Sequence, residues 1–349
     1  MKFKIDKKYV RRVLTDLVKI NSVNPLLVPG APGEKEAAAY IADELRKLGL
    51  EVDILGSEPG RDSVVGRLQG SGGGKSLMLN AHIDTVGVEG MAEPFSAEIR
   101  DGKLYGRGAF DMKGAMAACM AAMKALVEQG TKLKGDVVIS GVADEEFTSI
   151  GMREVIEACR TDAAIVTEPT QLQICLAHKG FIWLQVVTHG RAAHGSRFEQ
   201  GIDANMHMGR FLAMLDKYEQ QLRSGNRHAL VGPGSLHAAT LHGGSGLSTY
   251  AAKCTLEIER RTIPGESEAD VVLPLRKMID ALSAADPNFH AELKTTCVRD
   301  AFEVPKSTAI VQTLARTATA VLGSEPKYVG DTPWMDSALL AQAGVETVV

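Results

Sequence analysis

The sequence predicts an α/β protein in which a mixed, largely parallel sheet is covered by helices. Three observations predict this fold. Short apolar runs alternate with helical patterns in the first half of the chain, polar side chains follow those runs directly, and the pattern changes mid-chain before it resumes near the end. Alternation of strands and helices is typical of a sheet that buries both of its faces.

The first half of the chain contains the repeating strand and helix pattern. We predict helices where apolar residues recur at helical spacing, and strands where short apolar or β-branched runs occur. Gly49 stands where it can end the second helix in the left-handed conformation. The predicted helices are 9–20, 35–48 and 112–129, and the predicted strands are 63–68, 76–80, 136–142 and 163–166.

From about Lys179 the order of elements becomes strand, helix, strand, strand, helix, strand. This β-α-β-β-α-β order is that of a ferredoxin-like domain. After Asp300 a predicted helix and a final apolar strand resume the first pattern. We therefore predict a larger domain in two parts, residues 1–178 and 300–349, with a smaller domain inserted at 179–299.

Composition excludes several classes of function. The net charge of −4 and a pI of about 6.2 provide no basic excess to neutralise phosphates. No apolar run is long enough to span a bilayer, and the N-terminus lacks the apolar segment of a signal peptide. The five cysteines include no C-x-x-C pair, which favours a reducing compartment. We expect a cytoplasmic protein with no nucleic-acid and no membrane partner.

Acidic side chains and one histidine stand directly after three predicted strands and at the start of a predicted helix. In open α/β sheets, ligands bind at the carboxyl ends of the strands. We therefore expect these side chains to meet at one edge of the sheet. They are His82 and Asp84 after strand 76–80, Asp111 before helix 112–129, Glu145 and Glu146 after strand 136–142, and Glu168 after strand 163–166.

Such a cluster favours a divalent cation, because crowded carboxylates raise one another's pKa and a cation relieves the repulsion. One imidazole among carboxylates suits zinc, cobalt or manganese better than calcium. Asp111 could bridge two ions, and Asp84 is suited to accept the second imidazole N–H of His82. Of Glu145 and Glu146, one can be a ligand and the other the general base.

Taken together, the motifs resemble those of a known family of dinuclear zinc metallopeptidases. That family contains acetylornithine deacetylase, succinyl-diaminopimelate desuccinylase, aminoacylase and glutamate carboxypeptidase. The resemblance covers nearly the whole chain, in order and with similar spacing. The segments that carry it are HIDTV at 82–86, GRGAFDMKG at 106–114, DEE at 144–146 and TEP at 167–169.

The resemblance implies a role for each of these residues and two zinc ions per subunit, with cobalt or manganese as alternatives. It also implies a cis peptide bond after Asp111. The implied roles are His82 and Glu168 on one metal, Asp111 as the bridge, Glu146 on the second metal, Glu145 as general base and Asp84 behind His82.

The inserted domain resembles the family's lid and dimerisation domain. By that resemblance, His194 enters the active site of the partner subunit of a homodimer and hydrogen-bonds the oxyanion. Arg261 would grip a substrate carboxylate through its planar guanidinium. From the residues alone, His194 could simply be an exposed loop residue, and Arg261 could pair with Glu257 or Glu259.

Two features depart from the family pattern. The lid loop at 243–250 lacks the asparagine that many relatives have, and Ser248 or Thr249 could substitute for it. Relatives also continue past the final strand to a last histidine ligand, whereas this sequence stops at Val349. We therefore expect a C-terminally truncated chain in which the Glu146 metal position is weakly occupied.

The expected activity is metal-dependent hydrolysis of an amide bond in N-acyl amino acids or small peptides, as in a deacetylase or desuccinylase. A small-peptide aminopeptidase or carboxypeptidase of the same family is the alternative. A non-catalytic reading also stays open, namely a metal-binding dimer that lacks the last histidine ligand.

Overall fold

A computed structural model describes residues 3–349, and the chain divides into two compact units. Unit 1 comprises the residues up to 175, 304–328 and 335–349, and unit 2 comprises 176–303 and 329–334. Segment 329–334 thus belongs with unit 2, whereas the sequence predicts it in the second part of the larger domain. Its Trp334 explains the difference, since the indole donates to the Asp300 carbonyl (3.1 Å) and meets the Phe181 ring edge-on.

The order of elements follows the predicted alternation. The first part of the chain contains α1 (Lys7–Lys19), α2 (Lys35–Lys47), β1 (Glu51–Leu55), β2 (Ser63–Leu68), β3 (Leu77–His82), β4 (Glu98–Arg100), β5 (Lys103–Tyr105), α3 (Lys113–Glu128), β6 (Val137–Val142), α4 (Ile150–Ala158), β7 (Ala163–Val166) and β8 (Ile174–His178). The middle part contains β9 (Gly180–His189), α5 (Ala204–Ser224), β10 (Arg227–His228), β11 (Gly232–Pro233), β12 (Ser235–Gly243), β13 (Lys253–Thr262), α6 (Glu268–Ala285), β14 (His290–Arg299) and β15 (Phe302–Glu303). The last part contains α7 (Ala309–Leu322), β16 (Tyr328–Asp331), α8 (Ser337–Gln342) and β17 (Glu346–Val348).

Unit 1 is built on a six-stranded sheet of order β1-β2-β6-β3-β7-β17. Strands β6, β3, β7 and β17 run parallel, while β1 and β2 pair antiparallel with their neighbours. The predicted mixed, largely parallel sheet is confirmed. The prediction lacked β1, whose side chains are mostly exposed and whose sequence shows no clear alternation.

Helix α3 begins beside the strand ends and is tied to α1 by a buried lysine. Lys113 is 1% exposed, and its ammonium donates to the carbonyls of Leu17 (3.0 Å) and Ile20 (2.8 Å) at the end of α1. Burial lowers the pKa of Lys113 to about 7. The next turns of α3 bury Met116 and Met120 in the core of unit 1. The start of α3 is therefore tied to the end of α1 and to the core of unit 1.

Unit 2 is an antiparallel sheet of order β12-β13-β9-β14 whose buried side chains pack with α5 and α6. With β9, α5, β12, β13, α6 and β14 in sequence, this is the predicted ferredoxin-like connectivity. Capping fixes both helix starts, because Asp203 accepts from two N–H groups of α5 and Ser267 forms a capping box with Asp270 in α6. No helix within residues 3–349 combines the length and the hydrophobicity needed to cross a bilayer.

The core of unit 2 depends on Phe211, which lies in α5 and is fully buried. We expect Phe211→Ala to lower the free energy of unfolding by about 3–5 kcal/mol, since it removes a large buried ring and leaves a cavity. Leu273→Ala in α6 is the control, because Leu273 is 54% exposed and its loss should cost less than about 0.5 kcal/mol. Urea unfolding of both variants measures the difference, and equal losses would contradict this account of the core.

Candidate metal centre

Three neighbouring strands bring the predicted site residues to one edge of the unit 1 sheet. Strands β6, β3 and β7 are adjacent and parallel, with His82 opposite Val142 and Asn80 opposite Val166. Their carboxyl ends are therefore level. His82 is the last residue of β3, and the loops after β6 and β7 carry the glutamates that the sequence singled out.

The side chains that follow these strands form two overlapping groups. In the first, ligand atoms of His82, Glu145 and Glu168 all lie within 4.8 Å of one another. In the second, the same holds for His82, Asp111 and Glu146. The five residues predicted as metal ligands or general base are thus brought together in the structure. His82 belongs to both groups and stands at their centre.

The orientation of His82 leaves one ring nitrogen for the acids. Its Nε2 lies 2.9 Å from Asp111 Oδ1 and 3.9 Å from Glu168 Oε1. Its Nδ1 faces Asp84, where the backbone oxygen at 3.0 Å is nearer than carboxylate Oδ1 at 3.4 Å. The sequence predicts Asp84 as the acceptor, and both candidate acceptor atoms belong to that residue. The backbone oxygen competes because the chain turns directly after β3, and either acceptor directs Nε2 toward the acids.

The three glutamates of the cluster hold protons more strongly than exposed carboxyl groups do, whereas the hydrogen bond to His82 lowers the pKa of Asp111. Burial raises the pKa of Glu146 to about 7 and, with the charge of Asp111, that of Glu168 to about 8. Burial, together with the charge of Glu168, also raises the pKa of Glu145 well above its usual value. Burial opposes a charge on His82, but hydrogen bonds to Asp111 and Asp84 outweigh it and raise the His82 pKa. A cation bound among these groups would favour the charged forms of the glutamates.

Two further charged groups act on the cluster. Asp336, just before α8, is almost fully buried, and its charge contributes to the raised pKa values of Glu145 and Glu168. Asp336 is not among the site residues predicted from the sequence. Arg107 acts in the opposite direction and favours the charged forms of Asp111 and Glu146. Its motif was recognised in the sequence, but the arginine was given no role.

The donor set and its spacing fit a small divalent cation. Ligands at 2.0–2.2 Å from one zinc ion lie no more than about 4.4 Å apart, so atoms already within 4.8 Å need only small movements. One imidazole with several carboxylates is a donor set for zinc, cobalt or manganese. Asp111 offers an accessible carboxylate, since its side chain is 53% exposed. The predicted cis peptide bond between Asp111 and Met112 is confirmed.

Comparison with known proteins decides the family. Residues 78–349 match the profile of peptidase family M20/M25/M40. The chain belongs to this family. As an M20 protein it is a metal-dependent hydrolase of amide bonds, and the expected fold and class of enzyme are confirmed.

Individual relatives of this M20 chain differ in their named activities. A deformylase of N-formyl-4-amino-5-aminomethyl-2-methylpyrimidine from Halalkalibacterium halodurans is 28% identical, with 99% of this chain and 87% of that protein covered. A tripeptidase of Staphylococcus aureus has a TM-score of 0.77 at 19% identity, covering 99% of this chain and 89% of that one. A dinuclear metal-binding M20 peptidase of Bacillus subtilis has a TM-score of 0.72 at 17% identity, covering 98% and 88%. The two structures show a shared fold, and the deacetylase or desuccinylase branch stays a prediction.

In unit 2 of the M20 chain, His194 lies on an exposed loop. Its Nδ1 is 2.8 Å from Ser196 Oγ, and its backbone forms a bridge with Thr249. Gly195 N–H also donates to the Ser248 carbonyl (2.8 Å), so the His194 loop and the lid loop lie side by side. The two residues predicted as substitutes for the missing asparagine are therefore neighbours of His194.

Arg261 of the M20 chain already has a carboxylate partner. Its Nε donates to Glu259 Oε1 at 2.7 Å, and its Nη2 lies 3.4 Å from Glu259 Oε2. The guanidinium also lies 5.3 Å from the centre of the Phe181 ring. This is the strand-surface pairing that the sequence left open as an alternative. To bind a substrate carboxylate, Arg261 would have to release the carboxylate of Glu259.

Proposed function

We propose that this M20 hydrolase cleaves the amide bond of small N-acyl compounds, with N-acyl amino acids and short peptides as the substrate class and Glu145 as general base. The observation that supports it most strongly is the placement of Glu145 beside His82 and Glu168, with its pKa raised by burial. A base is most effective when its pKa lies near the working pH.

We propose that zinc, cobalt or manganese is held chiefly by His82, Asp111 and Glu168. When bound, such a cation lowers the pKa of water and polarises the substrate carbonyl. Asp111 and Glu146 would hold a second ion. His82 belongs to both groups but has only Nε2 to offer, because Nδ1 faces Asp84. If Nε2 holds the first ion, Asp111 and Glu146 would leave only carboxylates for the second. We therefore propose that this position binds its ion more weakly.

The chain's own residues would perform the proton transfers. Glu145 takes a proton from the attacking water and delivers it to the amine nitrogen that leaves. Asp84 keeps the Nδ1 side of His82 occupied, which preserves Nε2 for the cation. The proton transfer by Glu145 and the orientation of His82 by Asp84 both require a fixed distance between the loop after β6 and the end of β3.

Residues 179–299 are proposed to form the dimer surface of a cytoplasmic homodimer. His194 from the partner subunit would then donate a hydrogen bond to the oxyanion. Arg261 would bind the carboxylate of the substrate in place of Glu259. Both roles rest on the resemblance to the family and on the residue types, since a cationic or donor side chain suits each task.

A metal-dependent substrate screen tests the proposed function. The chain is stripped with a chelator and reloaded with zinc, cobalt or manganese. It is then assayed on N-formyl, N-acetyl and N-succinyl amino acids, on dipeptides and on tripeptides. We expect hydrolysis of at least one class, loss of activity after chelation and recovery on reloading. N-formyl substrates test similarity to the deformylase, and peptides test the peptidase alternative.

Metal analysis of the same preparation separates the remaining readings. We expect one tightly held ion per chain and a second that dialysis removes. Two ions that both survive dialysis would contradict the weak second position. Tight metal binding without hydrolysis of any substrate in the screen would favour the metal-binding dimer.

A further inference from the structure

A buried polar network lies between the metal centre and the first loops of unit 1. Arg61 Nη2 is 2.7 Å from Asp144 Oδ1 and 2.9 Å from Glu34 Oε1, and Nη1 donates to Asn24 Oδ1 at 3.0 Å. The Asn24 amide donates to both Asp84 Oδ2 (2.8 Å) and Asp144 Oδ1 (2.9 Å). Arg61 is 3% exposed, and the other four are fully buried. One guanidinium therefore contacts two buried carboxylates directly and a third, that of Asp84, through Asn24.

The two aspartates of this network hold the backbone of the metal centre. Asp84 accepts hydrogen bonds from the N–H groups of Glu145 (3.1 Å) and Glu146 (3.2 Å). Asp84 also occupies the Nδ1 side of His82. One residue thus links the end of β3 to the loop that carries both glutamates.

Asp144 binds the backbone of the same loop on the far side of the two glutamates. Its Oδ2 accepts from the N–H groups of Thr148 (3.1 Å) and Ile150 (3.4 Å), so the loop wraps around this carboxylate. Asp144 has a φ of +66°, a left-handed conformation that Asp and Asn adopt more readily than most residues. The turn directs the next residues, Glu145 and Glu146, toward His82.

Electrostatics explains why Arg61 is needed. Asp84 and Asp144 share one amide donor and would repel each other if no cation were near. The guanidinium contacts two carboxylates and the Asn24 oxygen at once, which the single ammonium of a lysine cannot match. Removal of one partner from a buried ion network leaves an uncompensated charge. Burial and the charge of Asp84 raise the pKa of Glu34 to about 8, which limits the negative charge that Arg61 must offset.

We propose that Arg61 is the positioning residue of the metal centre. Through Asn24, Asp84 and Asp144 it sets the spacing between His82 and the two glutamates that a divalent cation requires. Arg61 touches neither substrate nor cation, and it acts through the residues that do. The inference rests on the proposed function only for the identity of those ligands.

The test compares Co²⁺ binding by the full chain with that of Arg61→Lys and Asp144→Asn. Arg61→Lys keeps the positive charge but loses the planar guanidinium that contacts several partners at once. Asp144→Asn keeps a residue that tolerates positive φ but loses one acceptor oxygen. Arg67→Lys is the control. Arg67 pairs with Asp136 (3.2 Å), which lies just before β6, at the end opposite the glutamates.

Three readouts distinguish positioning from a purely structural role. We expect both variants to weaken the Kd for Co²⁺, measured against a competing chelator, by about tenfold to a hundredfold. The visible absorption spectrum of bound Co²⁺ should change, and kcat should fall more than KM changes. Arg67→Lys should match the wild-type chain in all three. If Arg61→Lys does not fold, as judged by its melting curve in EDTA, Asp144→Asn decides.

Two outcomes would overturn the inference. Variants that melt earlier but bind Co²⁺ with the wild-type Kd and spectrum would make Arg61 a structural residue, and the proposed function would stand. A wild-type chain that binds no Co²⁺ would overturn the ligand assignment together with this inference.

Discussion

Glu145→Gln is expected to lower kcat for amide hydrolysis by about 10²–10⁴-fold while the fold and the tightly held metal ion are retained. Glutamine has nearly the shape of glutamate but can neither accept the proton of the attacking water nor return it to the amine. KM should change little, because substrate binding does not use this carboxylate. Steady-state kinetics and metal analysis on the same sample provide the measurement.

The comparison variants decide which glutamate is the base. Glu346→Gln is the control, because Glu346 starts β17 opposite Ala163, at the other end of the sheet from Glu168. Wild-type turnover in Glu145→Gln would remove Glu145 from the mechanism. If Glu145→Gln lost the metal while Glu146→Gln kept it and lost turnover, the roles of the two residues would be reversed. The structure makes this a real alternative, since Glu145 and Glu146 each form a group with His82.

The candidate ligands could be found from sequence because each follows a strong local pattern. Apolar runs immediately precede His82 and Glu168, so their position at strand ends follows from the strands themselves. The adjacency of β6, β3 and β7 had to be assumed, because a long segment with β4, β5 and α3 separates β3 from β6 and the sequence does not encode their pairing. Arg107 lay inside a recognised motif, but its effect on Asp111 depends on how the loop folds, which the motif does not encode.

The supporting network could not be found in the same way. Asn24, Arg61 and Asp144 are far apart in sequence, and neither Asn24 nor Arg61 lies in a periodic pattern. An arginine near Gly and Asp residues looks like an exposed loop residue, yet Arg61 is 3% exposed. Its burial depends on contacts with residues up to 83 positions away, such as Asp144. Contacts of this kind are fixed by tertiary packing.

The second large expected effect is a pH dependence of stability that changes sign when the metal is bound. The metal-free chain is expected to lose stability as the pH rises from 5 to 7. The pKa of Glu146 is raised from 4.5 to about 7 and that of Glu168 to about 8, so the folded chain holds protons there that the unfolded chain has released. Stability falls with pH wherever the folded state binds more protons. His82, whose pKa is also raised, contributes with the same sign.

The pKa shifts of the buried acids set an upper limit on how much unfolding free energy the metal-free chain can lose with pH. At about 1.4 kcal/mol for each pKa unit, Glu146 alone contributes no more than about 3.5 kcal/mol, and its partial exposure reduces that value. Lys113 contributes with the opposite sign, since its pKa is lowered from 10.5 to about 7. Its effect on stability lies mainly above pH 7, where the folded chain has lost this proton and the unfolded chain still holds it. The window from pH 5 to 7 therefore reports the buried acids, and Glu34, with a pKa of about 8, adds a loss of the same sign that Glu146→Gln leaves in place. Urea unfolding in EDTA at several pH values measures the slope.

Zinc should reverse this dependence, because a cation occupies the cluster only when His82 and the glutamates have released their protons. The increase in melting temperature on adding Zn²⁺ is then expected to grow from pH 5 to pH 7, and binding should release protons into a weak buffer. Glu146→Gln should flatten the EDTA slope, since it removes one titrating acid, whereas Glu346→Gln should leave it unchanged. A zinc-induced shift that is the same at pH 5 and pH 7 would mean that these acids do not compete with the metal, and that the ion is held elsewhere in the chain.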